Sequence, residues 1–152
     1  MRLTETVVKW LEQQEWEERP DINDENQSSS TSFIYNLEDF NLHCWFEVSE
    51  KSEIFKVYMY FSDAKVPSDR FDEVKKFING VNERLLLGSM HFSQNDRRIR
   101  YYNAIDVEDA SFEPQHITNM LIMAASAMEK WLPEYMAICF GGKKTDEVFS
   151  EE

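Results

Sequence analysis

Residues 33–61 read FIYNLEDFNLHCWFEVSEKSEIFKVYMYF, and apolar side chains alternate with polar ones through three successive runs. Phe33, Tyr35 and Leu37 form the first, Phe40, Leu42, Cys44, Phe46 and Val48 the second, and Phe55, Val57, Met59 and Phe61 the third. A period of two places each set on one face of an extended strand. The joints at Glu38-Asp39 and at Ser49-Glu50-Lys51-Ser52 are short and polar. Such joints favour hairpins, and the segment is predicted to be a three-stranded antiparallel meander.

On the N-terminal side, Leu3, Val7, Trp10 and Leu11 recur at helical spacing and predict an amphipathic helix from about Leu3 to Gln14. Between Pro20 and Thr31 the run DINDENQSSS is rich in turn formers and is expected to be a flexible surface loop. On the C-terminal side, Pro67 and Ser68 open a second helix with Phe71, Val74, Ile78, Val81 and Leu85 on one face, Ser68 as its N-cap and Gly88 at its exit. Strands over 89–92 and 97–105 follow, joined by Ser93-Gln94-Asn95-Asp96.

Pro114 starts the last helix, where Ile117, Leu121, Ala124, Met128 and Trp131 repeat at four- and three-residue steps. Pro133 is expected to kink or interrupt it, Gly141-Gly142 to end it, and residues 146–152 to fray. The order α-β-β-β-α-β-β-α, without repeats or a βαβ series, gives the α+β class: one domain over 1–152, with an antiparallel sheet and helices against one face.

The 152 residues suffice for one core without disulfide or metal support. Hydrophobic residues make up 42% and there are only 4 Gly and 4 Pro, which excludes a largely disordered chain. A formal charge of -13 repels phosphates and anionic lipids, so neither nucleic acid nor membrane is expected as a partner. On charge alone, partners should be neutral or basic. The first residues lack a secretory leader, and no apolar run is long enough to span a bilayer, so the expected location is the cytoplasm. Cys44 and Cys139 stand far apart and read as reduced core thiols.

Catalytic motifs do not emerge. His43 and Cys44 are neighbours on a strand and point to opposite faces, so they do not form a nucleophile-base pair. His91 and His116 lack companions at metal-ligand spacing, and the carboxylates Asp106, Glu108 and Asp109 lie in a polar connection without EF-hand spacing. No enzyme activity, cofactor or metal is expected.

The strand faces opposite the apolar sets carry His43 and Trp45, then Tyr58 and Tyr60, then Arg98, Arg100 and Tyr102. Aromatic and arginine side chains are favoured interface anchors, so these seven residues are the candidate protein-binding face. The competing reading covers them with the first or last helix as a second core layer. An RNA-stacking platform is a further alternative, disfavoured because such platforms normally work within a positive groove.

Val66-Pro67 followed by Arg70, Asn79 and Asn82 in the second helix, Gly88 at its exit, the Tyr101 strand, and Pro133, Tyr135, Gly142 and Glu147 near the end together resemble the YbjN-like family. The similarity covers about Phe40 to Val148, although Glu83-Arg84 follow Asn82 where many members carry an aromatic residue. That family is described as bacterial sensory transduction regulators, and its fold is shared with the small acidic chaperones of type III secretion. The resemblance implies a sensory or stress-linked role, homodimerisation and capture of an extended protein segment. A dedicated secretion chaperone is one alternative, and an enzyme or small-ligand-binding protein with an unrecognised site is another. Asn79 and Asn82 read as structural amides tying the second helix to its neighbours, and Gly80 as a point of close backbone approach such as a dimer contact.

Overall fold

The computed structural model describes residues 1–150. The elements are α1 (Arg2–Gln13), β1 (Asp21–Asn23), β2 (Ser28–Asn36), β3 (Asn41–Ser49), β4 (Ile54–Tyr60), α2 (Phe71–Asn82), β5 (Ser89–Ser93), β6 (Arg98–Asp106), α3 (Pro114–Phe140) and α4 (Thr145–Phe149). The strands form one antiparallel sheet in the order β1-β2-β3-β4-β6-β5. The α2 crossover carries the chain past the position of β6, and the β5–β6 hairpin brings β6 back beside β4.

Alternation decides what is buried. Leu42, Cys44, Phe46 and Val48 of β3, Phe55, Val57 and Met59 of β4, and Ile99 and Tyr101 of β6 all lie inside the core. Over them pack Leu3, Val7, Trp10 and Leu11 of α1, Val74, Phe77, Ile78 and Val81 of α2, and the long buried stripe of α3 from Ile117 to Cys139. Trp10 meets Phe33 and Phe46 edge-on or tilted, with centroids 6.1 and 5.4 Å away, which fastens α1 to the β2–β3 side. The Glu50 carboxylate in the β3–β4 turn accepts the Leu3 and Thr4 amides, each at 2.8 Å, so a negative charge satisfies the open N-terminus of α1.

Four expectations need correction. The 20–31 segment is a hairpin and not a flexible loop: Asp21–Asn23 pairs with Ser28–Ser30 across a turn in which Gln27 has φ 50°. Its inward positions are Ser29 and Thr31, both buried, and Ser29 Oγ lies 2.7 Å from Thr4 Oγ1 of α1. Hydroxyl pairing replaces apolar packing there, so the strand leaves no hydrophobic signal.

Ser68 does not cap α2. A 3₁₀ turn over Ser68–Arg70 precedes the helix, and neither start carries a side-chain cap. The extra turn lets Arg70 donate Nε to the Ile138 carbonyl at 2.8 Å and Nη2 to the Lys143 carbonyl, closing the exposed carbonyl end of α3.

Pro133 does not interrupt α3, which runs from Pro114 to Phe140. Pro133 lies on the solvent side, as does Glu129 four residues earlier. The carbonyl that loses its hydrogen bond can therefore be hydrated.

The C-terminal segment does not fray through residue 149. Thr145–Phe149 forms α4, whose Phe149 ring stacks near Phe77 and Trp131 at 6.1 and 5.7 Å and carries the Arg84 guanidinium 4.1 Å over its centre. Residues 151–152, the last of the expected frayed tail, lie outside the described residues. Gly80 owes its lack of a side chain to this docking, because a Cβ there would collide with the Phe149 ring. The close neighbour is a ring of the same chain, so Gly80 gives no reason for a dimer contact.

Candidate functional site

The sheet face opposite the helices is open. Among the described residues no helix ring contacts Trp45, Tyr58, Tyr60 or Tyr102; their ring neighbours are one another and His91. The second-core-layer reading is thereby overturned. Trp45 keeps 40% of its surface exposed and Ile34 51%.

Register assembles the face from five strands. One cross-strand row runs Ile34, His43, Tyr60, Arg100, His91, and the next runs Ser32, Trp45, Tyr58, Tyr102, Ser89. Arg98 lies opposite Ser93 beyond the first row, at the same face of β6 as Arg100. All seven residues expected from alternation thus share this face. Tyr58 is its hub: Tyr102 lies 5.1 Å away, Trp45 and Tyr60 each 6.4 Å, and the Arg100 guanidinium sits 5.4 Å from the Tyr58 ring centre. Arg100 Nη1 also donates to the Tyr60 hydroxyl at 3.4 Å, and Arg98 Nε to the Ser62 carbonyl at 3.3 Å.

Burial among these rings, reinforced by the charge of Glu47 and the neighbouring Tyr102, pushes the Tyr58 phenol above its ordinary range while Arg100 opposes the shift. The phenol therefore remains an O–H donor. His91, whose Nε2 is 2.8 Å from Ser89 Oγ, is pushed down by burial and by Arg100. The neutral imidazole is favoured, so the lasting positive charge of this half of the face comes from Arg98 and Arg100.

Sequence reasoning missed Ile34 and His91. Ile34 falls within a run assigned inward by its neighbours Phe33 and Tyr35, though alternation alone turns it outward. His91 reads in sequence as an isolated histidine without metal-ligand companions; the β5–β6 pairing that brings it to Arg100 is set by tertiary structure. An open concavity of about 470 Å³ adjoins Trp45 on the β1 side, with Ser28, Ser30, Glu47 and Lys56 among its walls. A second of about 470 Å³ runs beside Trp16, Phe33 and Ile34.

The amides and thiols lie elsewhere. Asn82 donates Nδ2 to the Met90 carbonyl at 2.9 Å and accepts the Met90 amide on Oδ1 at 2.7 Å, so one side chain replaces a peptide group at the outer edge of β5. Among the described residues Asn79 donates only to Glu83 Oε1, at 3.3 Å one turn further on, so unlike Asn82 it does not tie α2 to a neighbouring element. Gly88 has φ +77° with the Tyr101 hydroxyl beneath it, and that hydroxyl donates to the Leu87 carbonyl at 2.9 Å. Cys44 faces the core, away from His43, and burial pushes its thiol far above its ordinary value. Burial likewise holds Cys139 up to about 11, against the pull of the Tyr135 hydroxyl and Arg70. Among the described residues no group of three His, Cys, Asp or Glu side chains is arranged to hold a metal ion. No described helix is long and apolar enough to cross a membrane.

No curated protein matches the sequence. Among solved structures, the crystal structure of the ExsC-ExsE complex has a chain that is similar, with TM-score 0.62 and 12% identity over 86% of this chain and 94% of that one. YbjN from E. coli, a "putative transcription regulator", aligns with TM-score 0.57 and 8% identity over 87% of this chain and 92% of its own. An uncharacterized protein from Methanothermobacter thermautotrophicus gives TM-score 0.59 and 12% identity over 90% and 98%. At these identities the likeness speaks for the fold, and it is the α+β, type III secretion chaperone-like fold that the resemblance implied. Residues 4–135 match the family described as "Putative bacterial sensory transduction regulator", and the chain belongs to this YbjN family.

Proposed function

We propose that this chain is a non-enzymatic regulator or chaperone-like adaptor of the bacterial cytoplasm that holds a segment of a partner protein on its open sheet face. The observation that carries this reading is the bare aromatic patch of Trp45, Tyr58, Tyr60 and Tyr102, bordered by His43, Arg98 and Arg100. Rings on neighbouring strands are already held by one another, so little side-chain entropy is lost when a partner covers them. The likeness to a chain crystallised in the ExsC-ExsE complex supports protein binding. An affinity capture from the native cytoplasm tests the proposal, comparing the wild type with a Trp45→Ala variant shown to fold. One or a few proteins enriched by the wild type and lost by the variant is the expected result. A single dominant partner would place the protein with dedicated secretion chaperones, and several would place it with regulators. Retention that ignores Trp45 would remove the sheet face from consideration.

Homodimerisation belongs to the same proposal. Leu86 and Leu87 stand 86% and 55% exposed where α2 leads into β5, and they are the apolar knob through which two copies would pair. Sedimentation should give a dimer that Leu86→Glu with Leu87→Glu converts to a folded monomer. A monomeric wild type at high concentration would refute it.

A further inference from the structure

We propose that the segment held on this face is acidic, with carboxylates two residues apart beside aromatic or aliphatic side chains. This rests on the reading of the sheet face given above and narrows it to one partner chemistry. It also reverses the expectation from total charge.

The protein carries a net -13 from 29 acidic residues, yet the half of the face built by Tyr60, Arg100, His91, Tyr58, Tyr102 and Arg98 contains no carboxylate in its cross-strand rows. Arg98 and Arg100 form no ion pair with any described carboxylate: Arg2, Lys76, Arg84 and Lys143 take such partners. The guanidiniums instead meet the Ser62 carbonyl, the Tyr60 hydroxyl and the Tyr58 ring, each of which leaves donors unused. Glu47, the nearest carboxylate on the face of β3, stands opposite Lys56 in the register. Two half-buried guanidiniums without a counter-charge, on a molecule otherwise crowded with carboxylates, are complementary to an anion brought by the partner.

Geometry sets the spacing. Arg98 and Arg100 are two residues apart on one strand, so their side chains leave the same face roughly 7 Å apart. Carboxylates at alternate positions of an extended segment repeat at the same distance. Laid along β6, such a segment puts each carboxylate over one guanidinium and the apolar side chain at its next alternate position over Tyr102 and Tyr58, in the direction of Trp45. A nucleic acid also offers anions and stacking bases, but a continuous phosphate chain would run beyond the two arginines into a net negative surface.

The test is selection from a displayed library of random linear peptides on the full chain, repeated with Trp45→Ala, with Arg98→Gln/Arg100→Gln and with Arg98→Lys/Arg100→Lys, each checked for folding by circular dichroism. The expected peptides carry Asp or Glu at alternate positions next to aromatic or aliphatic residues. They lose binding with Trp45→Ala, weaken about tenfold with the double Gln variant, and partly recover with the double Lys variant. Trp45-dependent peptides without acidic preference, or indifferent to both Arg substitutions, overturn this inference and leave the sheet-face reading standing. Absence of any Trp45-dependent peptide overturns both. Displacement of the selected peptides by a short poly-uridine RNA also overturns it, in favour of nucleic acid.

Discussion

Tyr101 and Tyr135 are both fully buried tyrosines, and removing their hydroxyls should have opposite consequences. The Tyr101 hydroxyl donates to the Leu87 carbonyl beneath the left-handed Gly88, so it fastens the α2–β5 connection from below. Tyr101→Phe is expected to cost about 1 kcal/mol in urea unfolding, the net worth of one such bond. The Tyr135 hydroxyl finds no nitrogen or oxygen partner among the described residues; its polar neighbour is the Cys139 thiol one helical turn on. Tyr135→Phe should therefore be neutral or slightly stabilising, since it removes a buried polar atom that makes no strong bond. A loss of about 1 kcal/mol or more from both substitutions would show that Tyr135 is better satisfied than its surroundings indicate. Asn82 belongs with Tyr101: replacement by Ala opens two backbone groups of Met90 at a sheet edge and should cost about 1–3 kcal/mol. The family resemblance singled out Asn82, Gly88 and the Tyr101 strand, but their joint role depends on α2, β5 and β6 meeting. No spacing along the chain encodes that meeting.

The last described helix, α4, shows how an element of five residues is fixed by one ring and one carboxylate. Gly80→Ala should destabilise the wild type, because its Cβ meets the Phe149 ring. In a Phe149→Ala background the clash is gone, and the same change should gain up to about 1 kcal/mol from helix propensity. The reversal of sign, read from unfolding curves of the four proteins, is the signature of direct contact; additive effects would mean that α4 does not dock. Glu73 supplies the second hold, accepting the Thr145 amide at 3.0 Å and its hydroxyl at 2.8 Å. Those bonds, the amide first, draw its carboxyl below the usual glutamate range, burial opposing and Lys76 assisting. A depressed folded pKa contributes stability that is present above the unfolded value and lost as pH falls through the folded one. Hydrogen exchange of residues 145–149 should therefore accelerate as pH drops below the ordinary glutamate range, after correction for intrinsic rates, and Glu73→Gln should flatten that dependence. The elements with dense apolar periodicity, α1, β3 and β4, were legible in sequence to within a residue or two, as were the two ends of α3, though not its continuity through Pro133. The β1–β2 hairpin and α4 were not, since the inward positions of β2 are the polar Ser29 and Thr31, Ser29 pairing by its hydroxyl with Thr4, and α4 is too short to display a period. Alternation likewise identified the outward residues of the candidate face, while their grouping into rows required β6 to insert between β4 and β5.

For the molecule as a whole, 29 acidic residues against 16 basic ones leave a surplus of 13 negative charges that no cationic side chain balances. The ion pairs that do form, such as Arg2–Glu53 at 2.8 Å and Lys143–Glu134 at 2.8 Å, are partly exposed and individually weak. Folding gathers the surplus charge into a small volume, whereas unfolding spreads it, so long-range repulsion opposes the native state. Salt shortens the reach of that repulsion from about 30 Å at 0.01 M to about 8 Å at physiological strength. Thermal unfolding should accordingly shift upward by a few degrees when NaCl is raised over that range, the opposite of a fold held by surface ion pairs. Charge reversal at Glu17 and Glu18, both exposed at the exit of α1, should reproduce part of the gain at low salt and make the midpoint less sensitive to added NaCl. A midpoint that stays flat or falls would mean that local pairs outweigh the net charge. The paired Arg98 and Arg100 would then be one charge cluster among several balanced ones, and the case for an acidic partner would lose its contrast with the rest of the surface.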